Sequence, residues 1–269
     1  MTFHVTDGPV SNENSDFYQL DKINHALALA GRKMWRTLLG VFAVGSALAT
    51  TVLGLYVTPK DEHLGNSVRL LYVHPPVAWA ALYLAFGLTT LCSILYLIPK
   101  TRSHFFDKIA GASAESGILF LSLTLITGSI WGHMTWGVWW TWDARLTLTA
   151  VLLVLYLGYL SVRKISGTED SKAIRNSIAA LIAAVDVPIV HFSVIWWNTL
   201  HQTASILTPS LQFKVPLSMG ITMGIGFLSA TFTWIWMVRV RYEISILEEA
   251  KENKSLTALI ENRRMERVG

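Results

Sequence analysis

Charged residues are scarce in this chain of 269 residues. They make up 15% of it, against 52% for hydrophobic residues, whereas a soluble domain carries about a quarter charged residues. Cysteine is scarcer still, because Cys92 is the only one, and this excludes an intrachain disulfide and a CxxCH haem-attachment motif. These shortages argue against an ordinary soluble domain, a disulfide-stapled secreted domain and a c-type cytochrome.

The first 35 residues lack the pattern of a cleavable signal peptide, because they are polar and have no apolar core followed by small residues. We expect residues 1–35 to form a cytoplasmic leader, with a flexible tail to residue 15 and an interfacial amphipathic helix over 16–35. The sequence has no long-period repeat, no conventional catalytic residue set and no ATPase motif. Whether the chain is an enzyme therefore stays open at this point.

Long apolar stretches are abundant. A membrane-spanning helix needs about 20 apolar residues, and six stretches reach or approach that length: 36–58, 75–98, 110–130, 146–162, 177–196 and 215–238. The sequence therefore predicts an all-α polytopic membrane protein, with one six-helix domain over 36–238 and a charged cytoplasmic tail over 239–269. The lipid bilayer is its first predicted partner.

Positive charge is distributed unevenly along this arrangement. All but four of the 22 lysines and arginines fall on one side of it, the exceptions being Lys60, Arg69, Arg145 and Lys214. Cytoplasmic loops of membrane proteins are enriched in lysine and arginine, so we expect both termini in the cytoplasm and the connection between the third and fourth helices outside. Insertion orientation explains the basic pI, and we expect no nucleic-acid partner.

That external connection is rich in tryptophan. Residues 131–147 read WGHMTWGVWWTWDARLT and hold Trp131, Trp136, Trp139, Trp140 and Trp142. Tryptophan at a bilayer boundary commonly forms an anchoring belt. A belt needs neither the Asp143-X-Arg145 pair nor glycines at 132 and 137, which allow tight turns or close approach to a ligand. We therefore interpret 131–147 as a tryptophan-rich loop that holds a flat, apolar ligand.

Two histidines are predicted to flank this loop at the same depth. His74 opens the second helix in RLLYVHPP, and His201 follows the fifth in WWNTLHQ. Two neutral imidazoles facing each other across a gap can be the axial ligands of a porphyrin iron. The alternative is that each histidine lies at the interface and hydrogen-bonds water or backbone. The pair together with the loop favours iron ligation.

The charged residues near this site have less certain roles. Arg145 or Arg69 could bind a porphyrin propionate through charge-assisted hydrogen bonds. Asp143 either orients Arg145 or accepts a hydrogen bond from an indole N–H, and the sequence leaves both open. Asp186 is predicted in mid-membrane, where an ionisable group is a functional candidate. Its structural alternative is a bond to His191 or to backbone released by Pro188, and Glu115 is best explained as interfacial.

The runs WGHMTWGVWWTWDARLT, RLLYVHPP and VPIVHFSVIWWNTLHQ resemble the cytochrome c maturation protein C (CcmC, haem exporter protein C) family of the WWD-domain superfamily. The resemblance covers about residues 36–238. It implies that haem b is bound transiently at the periplasmic face of the bacterial inner membrane, with His74 and His201 as iron ligands and Arg69 and Arg145 as nearby basic residues. It further implies transfer of haem to the chaperone CcmE, with CcmA, CcmB and CcmD as partners.

Two other functions stay open beside this one. A b-type cytochrome subunit for electron transfer also uses paired histidines, although such ligands usually lie within helices. A membrane transporter of haem would use Asp186 as its coupling residue.

Overall fold

The computed structural model describes residues 12–201 and 216–268, and eight α-helices account for most of them. The helices are α1 Asn12–Val52, α2 His74–Trp79, α3 Phe86–Leu97, α4 His104–Trp136, α5 Ala144–Arg163, α6 Glu169–Ala184, α7 Asp186–Trp196 and α8 Leu217–Val268. Irregular helical segments extend them, namely the π-helical Leu53–Val57 and Ala80–Ala85 and the 3₁₀-helical Asn66–Tyr72. The prediction of an all-α chain is confirmed for these residues.

Six helical segments are long and apolar enough to cross a bilayer, as predicted from the apolar stretches. They are Lys33–Val57, Asn66–Leu97, His104–Trp136, Ala144–Arg163, Glu169–Trp196 and Leu217–Glu266. The second is built from α2 and α3 with their irregular turns, and the fifth from α6 and α7. The chain is therefore a multi-pass membrane protein.

The two terminal regions differ from the expected division into separate elements. The part of the leader from residue 12 onward is not a separate interfacial helix, because α1 runs without a break from Asn12 to Val52. The charged tail likewise continues α8 as far as Val268. Neither segment contains a proline, so nothing removes a backbone donor and ends the helix. Residues 1–11 of the leader, and the connection from residue 202 to residue 215, lie outside the described residues.

Short connections make successive helices antiparallel, so the bundle has two distinct ends. At one end, here called the tryptophan end, α4 stops at Trp136, α5 starts at Ala144 and α7 stops at Trp196. At the other, the basic end, α5 stops at Arg163 and α4 starts at His104, and α8 still contacts α4 there through Glu249. The two candidate imidazoles belong to helix boundaries of the tryptophan end.

The core lies around α4, which packs against α2, α3, α5, α6 and α8. Its second and third turns carry a run of small buried residues, Ala110 to Ala114, which lets neighbouring helices approach closely. Larger rings fill the space beside it: Phe86 of α3 stacks on Tyr156 of α5 with ring centroids 3.6 Å apart. This packing fixes α4, the helix that reaches from the basic end to the candidate site.

Candidate functional site

The two histidines predicted as ligands come together at the tryptophan end. His74 is the first residue of α2, where the following prolines are tolerated because the first helical turn has no internal partner for their missing N–H. His201 follows the end of α7 by five residues. Their imidazole centroids lie 6.4 Å apart, with an angle of 39° between the rings, and both residues are half-buried.

This separation fits one metal ion between the rings. Metal–nitrogen bonds of about 2 Å on each side would place two imidazole centroids about 6 to 6.5 Å apart. No cluster of three or more His, Cys, Asp or Glu side chains suited to a metal occurs in residues 12–201 and 216–268. A porphyrin supplies four nitrogens of its own and needs only two axial ligands, so the pair fits a porphyrin iron better than a bare ion.

The backbone of α4 forms one wall behind His74. The imidazole Nδ1 lies 3.1 Å from the Thr127 hydroxyl oxygen. At the next residue, Gly128, a Cβ atom would come within 2.9 Å of His74 Cε1. Sequence reasoning missed both residues, because a Thr-Gly pair within an apolar helix has no distinctive pattern.

Two of the five tryptophans contact the imidazole pair. Trp131 meets His74 edge-on at 5.7 Å between ring centroids, and Trp136 meets His201 edge-on at 6.4 Å. The Trp131 Nε1 atom is buried and has no hydrogen-bond partner within the described part of the chain. A buried N–H without a partner is costly, and this one is available to a polar atom of a bound molecule.

The other three tryptophans make ring contacts further along the loop. Trp139 stacks on His133 with centroids 4.2 Å apart, and Trp140 meets Trp142 edge-on at 5.7 Å. Trp142 is 83% exposed, the most open of the five. The tryptophan segment therefore divides into a pair that contacts the imidazoles and three that do not, of which Trp139 and Trp142 are exposed and Trp140 is half-buried.

The tryptophan-rich loop is shorter than expected from sequence. Trp131 to Trp136 belong to α4, and only residues 137–143 lie between helices. Gly137 ends α4 in the left-handed conformation, with φ of 76°, which glycine adopts without a Cβ penalty. The helical form of 131–136 explains why Trp131 and Trp136 are held beside the imidazoles.

Asp143 has a role different from both alternatives that the sequence offered. Its Oδ1 accepts a hydrogen bond from the Leu146 backbone N–H at 2.9 Å and caps α5. Its Oδ2 accepts from the Leu200 backbone N–H at 3.2 Å. Asp143 thereby fastens the start of α5 to the residue that precedes His201. Because 57 positions separate Asp143 from Leu200 in the sequence, local patterns could not predict this contact.

The two arginines predicted near the site are both used in protein contacts. Arg145 donates to the His191 carbonyl at 2.7 Å and to the Ser193 hydroxyl at 3.3 Å, which ties α5 to α7. Arg69 donates to the Gly54 carbonyl and to Asn66 Oδ1. A guanidinium has more donors than these bonds use, so neither contact prevents a further bond to an anionic group.

The remaining acidic candidates lie elsewhere. Asp186 begins α7 at the break in the fifth span and is buried, and its Oδ2 has no partner among the described residues. The Oδ2 atom makes no bond to His191, whose Nδ1 bonds the Tyr83 hydroxyl instead. Glu115 pairs with Arg241 toward the basic end, consistent with its interfacial interpretation.

Six helices long and apolar enough to span a membrane, with two imidazoles and two indoles converging at one end, define a polytopic membrane protein with a candidate ligand site at that end of the bundle. Residues 17–257 match the family described as Heme exporter protein C (CcmC). The chain belongs to the CcmC family.

Relatives from bacteria and a plant support this family assignment. Heme exporter protein C of Haemophilus influenzae is 38% identical over 213 residues, covering 77% of this chain and 83% of the relative. Heme exporter protein C of Escherichia coli K12 is 34% identical over 216 residues, covering 78% and 84%. A putative cytochrome c biosynthesis ccmC-like mitochondrial protein of Arabidopsis thaliana is 35% identical over 226 residues, covering 82% of each chain.

Proposed function

We propose that this protein binds haem at its tryptophan end and works in haem export and cytochrome c maturation. The observation that carries the proposal is the 6.4 Å separation of the His74 and His201 rings, which suits two axial ligands of one iron. Membership of the CcmC family supports it, because relatives are named as heme exporters and as cytochrome c biosynthesis proteins.

Each predicted site residue has a place in this proposal. His74 and His201 ligate the iron, while Trp131 and Trp136 line the porphyrin plane. Trp139, Trp140 and Trp142 cover its outer side. Arg69 and Arg145 bind the propionates with their remaining N–H donors. Asp143 acts through the protein, by holding the His201 segment in place.

The site faces the periplasm of the bacterial inner membrane in this proposal, and both termini are cytoplasmic. The asymmetry of lysine and arginine supports this orientation, because Arg163, Lys164 and the basic residues after Arg239 all lie at the end opposite the imidazole pair.

The bound haem b is cargo, held transiently and presented for covalent transfer to the chaperone CcmE. The contribution of the protein is to position the porphyrin with one edge accessible, which lowers the entropic part of the barrier. The half-buried imidazoles and the 83% exposed Trp142 support an accessible site. CcmA, CcmB and CcmD complete the proposed assembly and supply ATP hydrolysis, for which this chain has no motif.

The experiment replaces both imidazoles, His74→Ala with His201→Ala, and measures haem per protein after purification from haem-replete cells. We expect near-complete loss of haem and of covalent haem on CcmE. The matched control is His104→Ala at the basic end, where His104 pairs with Asp170, and it should retain haem. Unchanged haem content in the double variant would contradict the proposal.

A further inference from the structure

The hydrogen bond between His74 and Thr127 determines where the imidazole carries its proton. Thr127 lies on α4, one helix away from His74, and its Oγ1 is 3.1 Å from Nδ1. A neutral imidazole has one N–H and one lone pair, and the partner of one nitrogen fixes the function of the other. The direction of this bond therefore indicates which nitrogen can bind a metal, and the Thr124 carbonyl is a second acceptor for the His74 ring.

The hydroxyl of Thr127 has only one proton to donate. Its Oγ1 lies 2.7 Å from the Leu123 carbonyl, four residues earlier on α4, and 3.3 Å from the Thr124 carbonyl. Carbonyl oxygens only accept hydrogen bonds, so the hydroxyl proton points to the backbone of α4. Toward His74 the same oxygen can only accept, and Nδ1 must carry the hydrogen.

We propose that Thr127 is a positioning residue that holds His74 as the Nδ1–H tautomer and leaves the Nε2 lone pair for the iron. The role of Nε2 as iron ligand rests on the proposed function, whereas the position of the proton does not. Histidine ligands whose second nitrogen donates to an oxygen are better oriented and more basic. Thr127 thus prepares His74 for ligation before any haem arrives.

The surroundings of the ring support a fixed orientation. Gly128, beside Thr127, leaves room for the ring edge against α4, since a Cβ there would approach His74 Cε1 to 2.9 Å. The ring also meets Trp131, on the next turn of α4. The imidazole therefore contacts three residues of α4, which restrict its orientation.

The first test needs no haem. Haem-free protein labelled with ¹⁵N-histidine is compared by NMR as wild type, Thr127→Val and Thr127→Ser, with the His74 signal identified by its loss in His74→Gln. We expect Nδ1–H in wild type and Thr127→Ser, and a mixture of tautomers in Thr127→Val. Thr124→Val is the matched control, because the Thr124 hydroxyl also donates four residues back, to Phe120. An Nε2–H signal in wild type, or no change in Thr127→Val, overturns the inference.

The second readout uses haem-loaded protein. Loss of an outer partner typically lowers metal affinity by about 10- to 100-fold, and we expect a fall of that size in Thr127→Val. We also expect a shift in the haem reduction potential, with Thr127→Ser close to wild type. Affinity and potential unchanged in Thr127→Val would refute the link to ligation even if the NMR result stands. Failure of the haem-binding proposal itself appears separately, as haem retained without His74 and His201.

Discussion

The two ends of the bundle differ in how their charged side chains are paired. At the basic end, Arg163 forms two hydrogen bonds to Asp107, at 2.8 and 3.0 Å, and Asn176 adds a third to the same carboxylate. Arg241 pairs with Glu115 nearby. At the tryptophan end, Arg145 bonds a carbonyl and a hydroxyl instead of a carboxylate. Buried polar atoms without a partner among the described residues occur at both ends, on Trp131 and Thr147 at this end and on Arg175 and Asn176 at the basic end.

From this difference we expect the basic end to contribute mainly to the stability of the fold and the tryptophan end mainly to binding. Charged groups at the basic end neutralise one another across α4, α5, α6 and α8, so that end fastens the helices together. At the tryptophan end, the unpartnered Trp131 Nε1 lies beside the imidazole pair, where the haem of the proposed function would meet it. Substitutions at the two ends should therefore change different measured quantities.

The largest effect is expected at Asp107. Replacing it with alanine leaves the mostly buried Arg163 without its counter-charge, and breaking such a pair costs about 3 to 5 kcal/mol. We expect a correspondingly lower free energy of unfolding in detergent, measured by denaturant titration, with the haem spectrum of the folded fraction unchanged. Asp107→Asn, which can still accept from Arg163, should lose less. A full loss of haem at normal stability would contradict the separation of the two ends.

A smaller effect, at the opposite end, is expected for Gly128→Ala. The added Cβ would press on His74 at 2.9 Å, and overpacking typically costs about 1 to 3 kcal/mol. Since the ring must move, we expect haem affinity to fall about tenfold, the equivalent of 1.4 kcal/mol, in a haem titration. Gly87→Ala on α3 is the control, because its Cβ would meet nothing within 4 Å. Equal haem affinity in the two variants would show that the close approach of α4 to His74 is unimportant for haem binding.

The smallest effect on stability is expected for Asp143→Ala, compared with Thr168→Ala. Both residues cap a helix, α5 at the tryptophan end and α6 at the basic end, and losing a cap costs about 0.5 to 2 kcal/mol. Thermal unfolding should shift similarly in both. Only Asp143→Ala also releases Leu200, so only it should weaken haem binding. Similar haem affinity in both variants would argue against a role for Asp143 in holding His201.

The sequence predicted the fold well, because span length and hydropathy are local properties set by the bilayer. It also placed His74 and His201 at the same end, since each lies at a predicted helix boundary and six antiparallel spans bring alternate boundaries together. Their assignment as iron ligands stays a prediction. The end of α4 was misplaced because hydropathy does not mark where a helix stops, although Gly137 carried that signal.

The contacts that shape the site could not be predicted in the same way. Thr127 bonds His74 across 53 positions, and Arg145 reaches His191 and Ser193 on α7. These pairings depend on how helices rotate against one another, which their own periodicity leaves undetermined. Asp186 illustrates the same limit. The sequence indicated that an ionisable group at this position in the membrane is costly, but only the packed bundle shows what surrounds it.

The length of α8 has a mechanical consequence. Its 52 residues form a rod of about 78 Å at 1.5 Å per residue, whereas the hydrocarbon layer is only about 30 Å thick. One extremity lies at the tryptophan end, and the other extends past the basic end, where Glu249 still pairs with Lys108. A small tilt imposed on the far extremity would be transmitted along the rod to the tryptophan end.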